Sequence, residues 1–447
     1  MAFCGGAYGD EGKGRIVDEY VNQFAKKKRV VLYRDNGGSN AGHTVEFGKT
    51  KLALHQLPSG VFVKKATVVL GKCMVIHPGD LLEEIIQVQR MSDGKIAAKI
   101  LIDEMAVLSL DTHRALEYIL LKNWQGGGKG STGRGISPAY ADILLKHPLR
   151  MRDLKNWDEE KIRSHYKLYA AWIKGLGGNL SGIEVNSLTG SGSRIVGSEE
   201  DFVVKLKRQT KRLCPYIENV FNFLHSAWRD EKGYAFVFEK AQAVGLDPRY
   251  GVYPDVTASD TTFGGITSST EGAIDSFSIE YRTAVIKATY MSSVGVRKIP
   301  TLMTSPLADR IREDAHEYGA TTKRPRDIAY LDIPALTFFK DVGYVTHLAF
   351  THMDIVYPDT SIKICVAYEL RGKKVPYRPD QEYLLKVKPI YEELPTWDRQ
   401  AIQLAKSYAS IPSRAKHYLE YVSKALKLPI LIITTGPKRE QSIKISN

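Results

Sequence analysis

The stretch GGAYGDEGKGRIVD, residues 5–18, sets Lys13 among glycines just ahead of an apolar pattern with helical spacing. It also places an acidic pair, Asp10 and Glu11, inside the same turn. Glycine amides, a lysine and the positive field of a helix N-terminus are the groups that hold phosphate oxygens. The spacing departs from the GxxxxGK[ST] phosphate loop, because only Asp10 and Glu11 separate Gly9 from Gly12 and no hydroxyl residue follows Lys13. A carboxylate facing phosphate would repel it. Asp10 makes chemical sense as a Mg2+ ligand, since such sites combine one or two carboxylates with phosphate oxygens, or as a base acting on a second substrate. The plain alternative is an exposed glycine turn carrying two charges.

A second polar break, RDNGGSNAGHT at 34–44, follows a buried apolar run and offers Asn36, Ser39, Asn40 and His43 among small residues. An imidazole there can protonate or stabilise a developing oxyanion. Taken alone, His43 reads equally well as a structural loop histidine. A third loop, NWQGGGKGSTGRGISPAY at 123–140, is dense in glycine, which lets backbone approach a ligand closely.

These loops need a scaffold. Ile16, Val17, Tyr20, Val21 and Phe24 fall on one helical face, and Leu81, Leu82, Ile85, Ile86 and Val88 on another. RVVLYR, KLALH and ATVVL read as short strands bounded by turn residues, with later strands expected at 284–288, 345–351, 362–367 and 430–434 and a helix at 413–426. This alternation predicts an α/β fold: a large central mixed, mainly parallel sheet flanked by helices, with a helical insertion and smaller subdomains. The whole chain, 1–447, reads as one catalytic domain containing a helical subdomain at about 153–240.

Composition narrows the class. The chain has 43% hydrophobic and 25% charged residues, unlike a disordered protein, and a net charge of +13, which suits an anionic partner. Its basic runs, KKKR at 26–29 and KLKRQTKR at 205–212, lack interleaved aromatics and read as solvated faces. Cys4, Cys73, Cys214 and Cys365 lie far apart without a CxxC pair, which indicates neither a zinc site nor a disulfide scaffold. No signal-peptide pattern and no run of 18 apolar residues is present, so a cytoplasmic protein without membrane or nucleic-acid partners is expected.

The loops together resemble the adenylosuccinate synthetase family. GDEGKGRIVD is similar to its opening signature, GGSNAGHTV to its second and STGRGISPAY to its third. LHQLPSG, YPDVTASDTT, ATTKRPR, THMD, KPIYEELPTW and ITTGPKR follow in family order. The resemblance implies GTP-dependent ligation of IMP and L-aspartate to adenylosuccinate, through a 6-phosphoryl purine, with GDP and phosphate released. It implies Asp10 as the base at N1 of IMP, His43 as hydrogen-bond donor to the 6-oxyanion, and Mg2+ held by Asp10 and the Gly42 carbonyl. Gly12, Lys13, Gly14, Thr44, Asp354, Thr435, Gly436 and Pro437 would hold the nucleoside triphosphate. Asn40, Thr132, Gln242 and Thr257 would hold the purine monophosphate, Lys146 would reach it across a homodimer with shared active sites, and Thr322, Arg324 and Arg326 would hold aspartate.

Several positions depart from the family pattern. TKxD becomes THMD at 351–354, which keeps Asp354 for guanine but loses the lysine stem, so ATP enters as an alternative to GTP. Lys146 stands where the family offers arginine. VTSSN becomes VTASD, TTGR becomes TTKR, and YTTRVGxGPFPTEL becomes YMSSVGVRKIPTLM, with Ser293 and Leu302 in place of Arg and Glu. Asp260 could accept from an exocyclic amine, which opens a second reading: ligation of dGMP or GMP to aspartate, as in the divergent branch making 2-aminoadenylosuccinate. Retention of Asp10 favours IMP. A third reading, from charge alone, is a non-catalytic RNA-binding or regulatory protein.

Overall fold

The computed structural model describes residues 1–47, 50–92, 94–124, 131–187, 192–293, 295–319, 324–436, 438 and 440–445, with backbone only for 43–47, 50 and 51. Apolar runs too short for helices become the sheet. Arg29–Arg34, for example, is buried at every position after the first, as strands covered on both faces must be. Each of two compact units carries five strands of a mostly parallel sheet, the class of fold expected from the sequence.

One unit comprises 1–13, 242–264 and 279–447. Its strands Ala2–Gly5, Arg282–Lys287, His347–Thr351 and Ile430–Thr434 pair in parallel in that order, and Ser442–Lys444 closes the edge antiparallel. The same unit holds a second sheet built from Tyr290–Ser293, Asp327–Asp332, Ile362–Leu370, Lys373–Val375 and Lys388–Leu394. The other unit, 14–241 with 265–278, has Ile217–Glu218, Lys99–Asp103, Ala66–Leu70, Arg29–Arg34 and Tyr234–Ala243, all paired in parallel.

The helices Lys13–Ala25, Pro78–Met91 and Ser413–Leu426 match the periodic segments. The middle is helical through Phe221–Arg229, apart from short strands. Its last residues, 234–240, are instead strand, registered on 29–33, because YAFVF is a bulky apolar run suited to a buried pleated surface. All four cysteines are free. Among the described residues no helix is long and apolar enough to cross a membrane.

Ligand sites in open α/β sheets lie beyond the carboxyl ends of the strands. The signature residues follow this rule. Residues 6–12 leave Ala2–Gly5, 352–354 leave His347–Thr351, Thr435 and Gly436 leave Ile430–Thr434, and 35–44 leave Arg29–Arg34.

Candidate active site

The acidic pair of the opening turn divides its work. Glu11 is buried, and its carboxylate folds under the turn to accept the amides of Ala7 (3.2 Å) and Gly9 (2.7 Å) and the Lys13 ammonium (3.4 Å). Thr351 Oγ1 then donates to the Glu11 carbonyl at 2.8 Å. Gly12, at φ +84, lies against Thr351, where a Cβ would stand 3.3 Å from its methyl group. The left-handed conformation calls for glycine here, and the Thr351 methyl adds a tight neighbour. Glu11 thus builds the turn while Asp10, at φ +58 and 31% exposed, projects from it. Lys13 and Gly14 open the helix Lys13–Ala25, whose first amides have no intrahelical partner.

Asp10 ends a chain of ion pairs. Arg326 lies 2.5 Å from Asp10 through one nitrogen and 2.7 Å from Glu317 through another. Glu317 is buried and also accepts from Lys287 and, at 2.6 Å, from the Tyr290 hydroxyl. Burial pushes the Glu317 carboxyl up, but Lys287, Arg326 and His352 outweigh it and hold it well below the ordinary carboxylate range. Burial likewise works against the Arg326 charge, and Asp10 and Glu317 more than offset it. Arg326 is therefore a fixed cation beside a reachable carboxylate. Arg324 is exposed two residues earlier, and Thr322 lies outside the described residues.

The residues expected to hold a purine base have open polar atoms. Gln242, at φ +58, accepts from Ser259 at 3.5 Å, but its buried Nε2 has no partner. Thr257 is anchored by its amide to the Leu246 carbonyl at 2.8 Å, while its buried Oγ1 has none. Buried polar atoms are rarely left unpaired unless a ligand or water meets them. Asp260, in contrast, has protein partners on both oxygens: one pairs with Arg249 at 2.6 Å and the other accepts the amide and hydroxyl of Thr262, both at 2.8 Å.

On the nucleoside side, Asp354 is buried and accepts from Gln403 at 3.1 Å, and Trp397 donates to the Met353 carbonyl at 2.9 Å. His352, standing where the family has lysine, takes φ +58 and puts its ring edge-on to Tyr290 at 6.0 Å. The Thr435 amide donates to the Gln441 carbonyl at 2.8 Å, and Thr435 Oγ1 is another buried atom without a partner. Gly436 packs against the end of the Gln441 side chain, and Pro437 lies outside the described residues.

In the other unit, Asn40 accepts the Gly38 amide at 3.1 Å, a local turn that shapes the second signature. Gly42 leads into the strand His43–Phe47, where His43 and Thr44 register on Leu54 and Ala53. Thr132 sits half-buried in a loop tied down by Glu117, which accepts from the Ser131 hydroxyl and from the Gly135 amide at 2.6 Å. Lys146 is exposed in left-handed conformation after the helix Ile136–Leu144, beside Leu144 and Leu145, which are 83% and 57% exposed. Glu84 explains LHQLPSG, since its carboxylate accepts the amides of His55, Gln56 and Leu57; burial pushes it up to about 7 against those bonds.

Sequence reasoning missed Glu11, Thr351, Glu317 and Glu117. Each acts by folding back onto backbone or onto another charge, which no spacing rule reveals. The basic run at 205–212 is partly structural, with Lys205 paired to buried Asp111 at 2.5 Å. The described residues also include one buried group with metal-ligand residue types: His113, Asp142 and His165. The Leu110 amide donates to His113 Nδ1, so His113 Nε2 carries the proton and donates to Asp142 at 2.9 Å, leaving that nitrogen no lone pair for a metal.

Comparison with known proteins agrees with this geometry. The family model described as adenylosuccinate synthetase matches residues 2–443. The chain is 33% identical to adenylosuccinate synthetase of Clostridium botulinum over 99% of this chain and 98% of that one. It is 34% identical to the Lactobacillus gasseri protein of the same name over 100% and 98%. The structure of fully ligated adenylosuccinate synthetase from Plasmodium falciparum superposes with a TM-score of 0.85 at 29% identity, covering 100% of this chain and 99% of that one. Succinoaminodeoxyadenylate synthetase of cyanophage S-2L, bound to dGMP and dATP, gives 0.56 at 16% identity, covering 99% and 94%, and shares the fold alone. With the opening turn, the ion-paired arginine and the open purine-side atoms all on the expected segments, the chain belongs to the adenylosuccinate synthetase family.

Proposed function

We propose that the protein is the carbon–nitrogen ligase that joins L-aspartate to C6 of IMP at the expense of GTP, and that its described residues divide that reaction as follows. Asp10 takes the N1 proton of the purine, which makes the 6-oxygen nucleophilic towards the γ-phosphorus, and GDP departs. The amine of aspartate then attacks C6 and phosphate leaves. A bare purine oxygen is a poor leaving group, so the order of steps follows from the chemistry.

The observation that carries this reading is Arg326, held 2.5 Å from Asp10. A guanidinium suited to a carboxylate of aspartate stands beside the group that activates the purine. Arg324 and Thr322 complete the amino-acid side, Gln242, Thr257, Asn40 and Thr132 the purine monophosphate side, and His43 the developing oxyanion. Gly12, Lys13, Gly14 and Thr44 hold phosphates, with Asp354, Thr435, Gly436 and Pro437 around guanine, for which a carboxylate acceptor supports GTP over ATP. Asp10 and the Gly42 carbonyl would each offer Mg2+ an oxygen, only one of them a carboxylate, a donor chemistry that fits the ion; when bound, it would supply neutralisation of transferring charge. Lys146, directly after two exposed leucines, supports a homodimer in which it serves the neighbouring site.

Asp260 supports a 2-amino purine less than the sequence alone does, because both its oxygens already have partners within the protein. The test is phosphate release with GTP, Mg2+ and L-aspartate, comparing IMP, GMP and dGMP. Turnover with IMP that requires aspartate is expected; turnover with dGMP alone would overturn the substrate assignment.

A further inference from the structure

The segment that departs furthest from the family pattern, YMSSVGVRKIPTLM at 290–303, plays no part in the assignments above. Against YTTRVGxGPFPTEL it loses an arginine at Ser293 and gains one, Arg297, where the pattern has its second glycine. The structure relates the two changes. After the strand Tyr290–Ser293 the chain turns through Gly295 at φ +98, and the Arg297 guanidinium comes back to donate to Ser293 Oγ.

Arg297 is buried and its other partners are substrate segments. It donates to the Asp255 carbonyl at 2.9 Å, pairs with the Asp255 carboxylate at 3.3 Å, and lies 4.9 Å from the centre of the Tyr8 ring. The Asp255 carboxylate also accepts the Val296 amide at 2.8 Å, and a Cβ on Gly295 would stand 2.4 Å from it, so this approach requires glycine. Tyr8 immediately precedes Gly9 and Asp10. Asp255 lies two residues before Thr257, whose backbone is fixed and whose hydroxyl is open. One guanidinium therefore joins the base-bearing turn to the purine-bearing segment. Its planar fork meets Asp255 and Ser293, and its face meets the Tyr8 ring. An ammonium group cannot make all three contacts at once.

We propose that Arg297 is a positioning residue for the purine monophosphate, supplying from four residues further along the chain the cation that the family pattern carries at Ser293. The inference rests on the assignment of Gln242 and Thr257 to the purine. Removing the guanidinium leaves Asp255 without its buried cation and frees Thr257 to shift. The nucleoside triphosphate side, built on Asp354 and Thr435, does not touch it.

The test measures Michaelis constants for IMP, GTP and aspartate, with melting temperature, in Arg297→Met and in the double variant Ser293→Arg/Arg297→Gly. Arg297→Met should raise the IMP constant by about tenfold or more while leaving that for GTP within about twofold, and the double variant should recover most of the loss. An unchanged IMP constant in Arg297→Met overturns the proposal, as does an equal rise for IMP and GTP. Where Arg297→Met does not fold, the double variant decides: a near-parental IMP constant supports the transposition, and a raised one refutes it. Failure of both to fold makes Arg297 a core residue only, which also refutes it. Absence of turnover by the unaltered chain with IMP, GMP and dGMP strikes the ligase assignment instead.

Discussion

Two clusters of buried charge, one in each unit, have similar ingredients and different endings. In the unit built on 14–241, Asp80 meets Arg114, Arg194 at 3.0 Å and His77 at 3.3 Å, while Asp111 meets His77 and Arg194, each at 3.1 Å, and Lys205 at 2.5 Å. Both carboxylates are buried, and each oxygen faces a donor of the protein. Burial drives the Asp80 carboxyl up, yet His77, Arg114 and Arg194 hold it far below its usual range. In the other unit, the chain Lys287, Glu317, Arg326, Asp10 begins equally buried but finishes on a carboxylate that is 31% exposed. Charge density does not separate a site from a scaffold. The difference lies in the ending, since one cluster closes within the protein and the other leaves a carboxylate within reach of solvent.

The comparison breaks most sharply at Asp10. Asp10→Ala should lower aspartate-dependent phosphate release by about a thousandfold, within the range expected for loss of a general base, with little change in melting temperature, because the carboxylate is partly solvated. A variant that keeps near-normal turnover would remove Asp10 as the base. The closed cluster should behave in the opposite way. Asp80→Asn leaves the buried Arg114 without its carboxylate, while Arg194 keeps Asp111, and should cost about 3 kcal/mol in denaturant unfolding. The folded fraction should turn over at the parental rate. A large fall in turnover per folded molecule would make the second cluster part of the machinery.

This contrast also marks what the sequence could convey. Gly12 and Lys13 stand out in the sequence because glycines and a lysine ahead of a helix state a chemistry in themselves, whereas Asp354 and Arg326 come to notice only through the family resemblance. The strand Ile430–Thr434 and helix Ser413–Leu426 were legible to the residue, since their apolar periods are uninterrupted. Glu11 and Glu317 were not. Glu11 reads as a partner of Asp10, and only the folded turn separates a carboxylate that accepts amides from one that faces outwards. Glu317 sits in HEYG, with no motif of its own, and acquires its role from Lys287, thirty residues earlier, and Arg326, nine later. The strand Tyr234–Ala243 was hidden because its carboxyl half, EKAQA, carries charge that the fold buries: Lys240 pairs with Asp35, and Glu239 accepts from Ser59.

Asp260 offers the finest test of the same idea, because the sequence marks it as a departure and the structure gives both its oxygens partners although its side chain is 33% exposed. Its partners are Arg249, itself half-exposed, and the two donors of Thr262. An exposed pair of this kind adds at most about 1 kcal/mol. Asp260→Asn keeps one acceptor oxygen for Thr262 and loses the charge facing Arg249, so stability should fall by less than about 1 kcal/mol. The ratio of turnover with IMP to turnover with dGMP should move by less than about twofold, since accepting from a purine amine would compete with the Arg249 pair. A shift of more than about tenfold towards IMP in the asparagine variant, about 1.4 kcal/mol of discrimination, would mean that Asp260 leaves Arg249 when the purine binds. Asp260 would then belong with Asp10 among the open ends rather than with Asp80 among the closed ones.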